Sequence, residues 1–179
     1  MPDERVFQWG DRECVVVSAL NCLEIMEQKE VLSDPRLLYQ EVQNAGFTQP
    51  WITGIPIDQI IGVMNWLGGR GVDAEGGTIH GLGAYPISIQ GMIDGLLAGQ
   101  RPFLFVYSYD YLGSKFSHAV CVKRFEPEVN LYGWVTPALV IGEQRDETVT
   151  ENYIPLIAAY LQGVLAFAYN SHTFVPYAV

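Results

Sequence analysis

The sequence predicts an α+β protein, with helices in its first half and a mostly antiparallel sheet in its second. Three observations lead there. Apolar residues recur at helical spacing as far as about residue 100, and after Pro102 runs of β-branched and aromatic residues take over. No linker rich in Pro, Gly or Ser divides the two halves. A chain of 179 residues that is 49% hydrophobic suffices for one core. The expectation is a single domain over 1–179, with a helical lobe at about 11–100, a β lobe at about 102–179 and a cleft between them.

The first helix follows Asp11, which can cap it from Arg12 and so places Cys14 in the first turn. CVVVSALNCLEIMEQ, Cys14–Gln28, is apolar almost all round for two turns, the mark of a helix buried at the centre of a domain. In VLSDPRLLYQEVQNAG, Ser33 or Asp34 can cap, Pro35 suits a first helical position and Gly46 can end the helix. FTQPWITG reads as a loop. IPIDQIIGVMNWLGGRGV is a third helix, capped near Ile57–Asp58 and stopped at Gly68–Gly69. Gly76–Pro86 reads as irregular, and SIQGMIDGLLAGQ as a short helix ending at Gly99. FLFVYSY, FSHAVCVKRF and ALVIGE read as strands, with YDYLGSK a turn and PEVNLYGW a connection. VLAFAYN and His172–Val175 can add one or two more.

Charge excludes some functions. Ten basic against 20 acidic residues give a net −10, with no basic stripe to neutralise phosphates. The same charge opposes an anionic membrane surface, so neither nucleic acid nor membrane is expected as a partner. The first residues, MPDERVFQWGD, contain no apolar signal segment, and no run is long enough to span a bilayer. A soluble, cytoplasmic protein is the expectation. Cys14, Cys22 and Cys121 form no CxxC pair and suggest no disulfide framework. His80, His118 and His172 are scattered, so no metal or other cofactor is expected.

Chemistry enters at Cys14. A thiol attacks as its thiolate, and a helix N-terminus favours that anion through its unpaired N–H groups. Glu13 opposes the effect, so activation calls for a histidine. His118, in the strand Ser117-His118-Ala119-Val120-Cys121, has small apolar flanks and is the candidate. Glu143, or Asp146 slightly later, can orient its second nitrogen. Gln8 can donate its amide to a developing oxyanion beside the N–H of Cys14. Each residue also has a plainer reading: Cys14 as packing, His118 as a structural strand residue, Glu143 as a solvated strand end and Gln8 as a loop residue. Cys22 and Cys121 read as core, and Trp9, Trp51, Trp66 and Trp134 as core or cleft wall.

Taken in order, these segments resemble the papain-like cysteine peptidases. Gln8 stands six residues before Cys14, as the family's oxyanion glutamine stands before its nucleophile. CVVVSALNCLEIM is similar to the family's central helix, VLSDPRLLYQEV to the segment after it, and GIPIDQIIGVMNWLGGRGV to its Gly-initiated helix. SIQGMIDGLLAGQRPFLFVYSY resembles the short helix and strand before the histidine, and His118-Ala119-Val120 the start of the histidine strand. TPALVIGE falls where the family carries its third catalytic residue. The resemblance spans about 5–170 and implies a buried central helix packed on an antiparallel sheet lobe, with the active site in the cleft.

It further implies a thiol hydrolase acting on peptide or isopeptide bonds, with a peptide or protein substrate. Cys14 would be nucleophile, His118 base, Glu143 its orienting acid and Gln8 the oxyanion donor. Val15 stands where the family has an aromatic residue, Asp11-Arg12-Glu13 where it has Gly and Ser, and Gly142-Glu143-Gln144-Arg145 where it has Asn-Ser-Trp-Gly. The family's disulfides and propeptide are not in evidence in this sequence. These departures point to the alternative of a catalytically inactive binding module of the same fold. Within the enzyme class, a relative that processes leader peptides or transfers acyl groups is the other alternative.

Overall fold

The computed structural model describes residues 14–27, 35–47, 54–70, 79–80, 83–100, 102–145, 148–170 and 175–176. Among them the element order is α1 (Cys14–Glu27), α2 (Pro35–Asn44), a 3-10 turn (Ile57–Gln59), α3 (Ile60–Arg70), β1 (Ile79–His80), β2 (Ala84–Ile87), α4 (Ile89–Leu97), β3 (Phe103–Tyr111), β4 (Ser114–Leu131), β5 (Trp134–Arg145), β6 (Thr148–Pro155), α5 (Leu156–Gln162), β7 (Gly163–Tyr169) and β8 (Val175–Pro176). The protein is a mixed α+β fold. Its main sheet has six strands in the order β2-β7-β3-β4-β5-β6, every neighbouring pair antiparallel. β1 and β8 pair separately.

Helices cover both faces of this sheet. On one face α1, α2 and α3 bury Val16, Leu20, Leu23, Val42, Val63 and Met64 against Leu104, Val106, Ala119, Cys121, Phe167 and Tyr169. On the other, α4 and α5 set Met92, Ile93, Leu96 and Ala159 against Phe103, Phe105, Val120, Val122, Leu139 and Ile141. The sheet is thus the middle of three layers. Two-sided burial explains why Phe103–Val106 and Ala119–Val122 are buried without a break, although strands covered on one face alternate. It also explains α1. Three consecutive valines are poor helix formers, so burial on the sheet and under α2 and α3 selects the helix.

Several sequence expectations shift. The third helix runs through Gly68 and Gly69 to Arg70. Ala84–Ile87, read as irregular, is an edge strand, a position that tolerates Pro86 because its missing N–H costs no inner ladder bond. PEVNLYGW is not a loose connection but the far end of a long hairpin, in which β4 has 18 residues and β5 has 12. Pro127 lies in the register shift between Glu126 and Val129, and Pro137 opposite it, where the ladder skips a step. α5 has no counterpart in the sequence reading. Fourth-helix expectations hold: Ser88 Oγ caps α4 by accepting from Gly91 N at 2.9 Å, and Gly99 follows the helix at φ +82°.

Both long hairpins turn on two residues, Leu112-Gly113 and Tyr132-Gly133, all four with positive φ. That is the turn whose twist suits paired strands. Among the described residues no helix is long and apolar enough to cross a membrane.

Candidate functional site

Cys14 is the first residue of α1, and its side chain is half-buried against the cluster shared with α2 and α3. Two contacts fix how α1 lies on β4. Ser18 Oγ donates to the Ala119 carbonyl at 3.0 Å, and the sulfurs of Cys22 and Cys121 meet at 3.5 Å. Four helical residues advance about 6 Å and two strand residues about 6.6 Å, so helix and strand run parallel and in step. Extending that register by one turn sets Cys14 level with Ser117. The Ser117 and Ser108 hydroxyls lie 3.1 Å apart across β3 and β4.

His118 sits between Ser117 and Ala119, and alternation sends its ring to the other side of the sheet. Cys121 and Ala119 face α1, while Val120 and Val122 face α4 and α5. The His118 imidazole accordingly meets its cross-strand partner Tyr107 edge-on, with ring centroids 5.8 Å apart and planes at 86°. Tyr107 stacks in turn on Phe105 at 5.9 Å, which is buried in the α4–α5 layer. The β3–β4 pairing is regular from Phe103 to Tyr111, so no bulge reverses this assignment. The structure therefore sets the Cys14 thiol and the His118 ring on opposite faces of the sheet and does not bring them together.

No protein-family model, curated protein or solved structure matches the chain.

The remaining predicted residues stand apart from this geometry. Gln8, Asp11, Glu13 and Asp146 lie outside the described residues, as do Trp9 and Trp51. Glu143 is described by its backbone, which pairs with Thr150 on β6 one residue beyond the Gly142–Cys121 pair. Trp66 packs against the core, but Trp134 is 78% exposed and is not a core residue. Cys22 and Cys121 are core residues, as expected. Burial, then the Cys121 thiol beside it, pushes the Cys22 thiol well above its ordinary range, so it stays protonated and is a poor nucleophile.

What sequence reasoning missed is aromatic surface. From Phe103 every second residue to Tyr111 is aromatic, a pattern that sets them on one face of a strand. Phe105, Tyr107 and Tyr109 form a ladder with centroid spacings of 5.9 and 6.0 Å, and Tyr109 stacks on Phe116 across the hairpin at 5.8 Å. The ladder begins in the core and ends exposed at Tyr109 and Phe116. At the far end of β4, Tyr132, Trp134 and Val135 are exposed together, and α5 shows Ile157, Tyr160 and Leu161 to solvent. A shallow depression of about 350 Å³ between the end of α1 and β2 is lined, among the described residues, by uncharged side chains that include Met26, Tyr85, Gln100 and Phe103.

Proposed function

We propose that the chain is a binding module for a peptide or protein partner, keeping a papain-like pairing of buried central helix and antiparallel sheet without turnover by Cys14 and His118. The observation that supports this most is the sheet itself, which stands between the half-buried thiol and the imidazole edge-on to Tyr107. General-base catalysis needs those groups within hydrogen-bond reach, about 3 Å or a little more. The sequence departures at Val15 and Glu13 agree with lost tuning of a thiolate. The exposed aromatic groups supply the positive half of the reading. Clustered Tyr, Trp and Phe on a surface are the residue types that anchor partners.

The test is a peptide array probed with the parent protein and with Trp134→Ser and Phe116→Ser variants. Selective retention of related peptides, lost in at least one variant, supports the module. Retention indifferent to both variants, or none at all, counts against it.

A second reading, the thiol hydrolase, is favoured by one observation: Cys14 is the first residue of α1, the helix position from which cysteine nucleophiles commonly act. It requires a base other than His118 in its described orientation. Peptide-cleavage activity that disappears in Cys14→Ala would establish it.

A further inference from the structure

Cys22 and Cys121 are 99 residues apart in sequence, yet their sulfurs lie 3.5 Å from each other in the seam between α1 and β4. Both are free thiols, 2% and 0% exposed, and both belong to the cluster that joins the first three helices to the sheet. A disulfide sulfur pair is separated by about 2.05 Å, so bond formation asks for a closure of roughly 1.5 Å. The in-step register of helix and strand, held one turn earlier by Ser18 on Ala119, already directs the two side chains at one another. Cys14 cannot substitute for either. Eight helical residues put it about 12 Å along the axis from Cys22, beyond the reach of a disulfide.

We propose that Cys22 and Cys121 are an oxidisable couple that a small-molecule disulfide converts into an intramolecular cross-link tying α1 to β4. One thiol loses its proton and attacks a sulfur of the small disulfide, expelling one small thiol and leaving a mixed disulfide. The other thiol, deprotonated in turn, displaces the second small thiol and closes the protein disulfide. The protein gives up two electrons and two protons, and the small disulfide is reduced to two thiols. Burial covers both groups and keeps the Cys22 thiol protonated, so the first attack proceeds through local opening of the seam and the conversion is slow. The loop it closes is long, which is the case in which a cross-link stabilises most.

The experiment incubates the native protein with oxidised glutathione. Samples are quenched in acid, alkylated in denaturant and read by intact mass and peptide mapping. The expected product lacks two hydrogens, keeps one alkylatable thiol and yields a linked peptide pair containing Cys22 and Cys121. Dithiothreitol reverses it, and its thermal midpoint is higher by about 5 °C or more. Cys14→Ser still cross-links, whereas Cys22→Ser and Cys121→Ser do not. Three alkylatable thiols after prolonged incubation overturn the proposal. So do glutathione adducts at Cys22 or Cys121 without a cross-link, a cross-link seen only in denaturant, or an oxidised form that melts below the reduced one. The parent protein alone decides, so a variant that fails to fold leaves the test intact.

Discussion

His118 presents its ring edge-on to Tyr107, 5.8 Å between centroids, on the face of the sheet turned away from α1. This gives the histidine a packing role. Such aromatic pairs contribute about 0.5–1.5 kcal/mol beyond area burial. His118→Phe should therefore unfold within about 0.5 kcal/mol of the parent, while His118→Ala should lose about 1 kcal/mol or more. Denaturant unfolding at pH 7 measures both. Equal losses in the two variants would contradict the packing role.

Alkaline stability is set in the seam between α1, β4 and β7. Burial holds the Cys22 thiol well above its ordinary value near 9.0, helped by Cys121. Burial, then Cys22, holds the Tyr169 hydroxyl well above its ordinary value near 10.0, and that hydroxyl donates to the Met64 carbonyl at 2.7 Å. Both groups stay protonated in the folded chain after they would ionise in the unfolded one. Above about pH 9 the unfolded state therefore binds fewer protons, and stability falls as pH rises. Unfolding free energies from pH 7 to 10.5 should decline, and Cys22→Ala should lessen the decline above pH 9. A flat profile in the parent would contradict the assignment.

Gly163 joins α5 to β7, and its need for glycine is steric. A Cβ there would stand 2.5 Å from the Ala159 carbonyl oxygen and 3.0 Å from the Phe105 ring. Gly163 N donates to that same carbonyl, so the oxygen cannot move aside. Gly163→Ala should destabilise by about 2 kcal/mol, the scale of overpacking a filled core. Thermal unfolding checks it, and an unchanged midpoint would mean that α5 is not seated as described.

Tyr132 is fully exposed at a positive φ of 53°, in a hairpin turn where Asn or Gly fits better. Its side chain packs on nothing that exposure would reveal, so Tyr132→Asn should stabilise the fold by about 1 kcal/mol through relief of left-handed backbone strain. If the tip anchors a partner, the same change should weaken binding while raising the thermal midpoint. A destabilised variant would show that Tyr132 packs in solution.

Much of this fold was legible in the sequence, and the reasons are local. The buried α1, Pro35 at the first position of α2 and the Ser88 cap of α4 are each written in a few adjacent residues. The shift from helices to strands after Pro102 marks the sheet, apart from its edge strand β2. α5 escaped because LIAAYLQ is short, apolar and flanked by strand-like residues, and periodicity cannot separate a one-face helix of that length from a buried strand. The relation of Cys14 to His118 was the least legible. Alternation divides Ser117, Ala119 and Cys121 from His118, Val120 and Val122, but does not name the face that meets the helix. Side-chain size does offer a clue: the small Ser, Ala and Cys side chains are the ones that admit a helix close to the strand.

The reactivity of Cys14 tests the central relationship most directly. Native protein is alkylated with iodoacetamide between pH 5 and 10, the modified residue is identified by peptide mapping, and the same profile is taken for His118→Asn. With the sheet between thiol and imidazole, the Cys14 rate should carry no contribution from the histidine, and the two profiles should superimpose across the whole range. A parent rate that stays high near pH 6 and collapses in His118→Asn would show a thiolate–imidazolium pair and contradict the account.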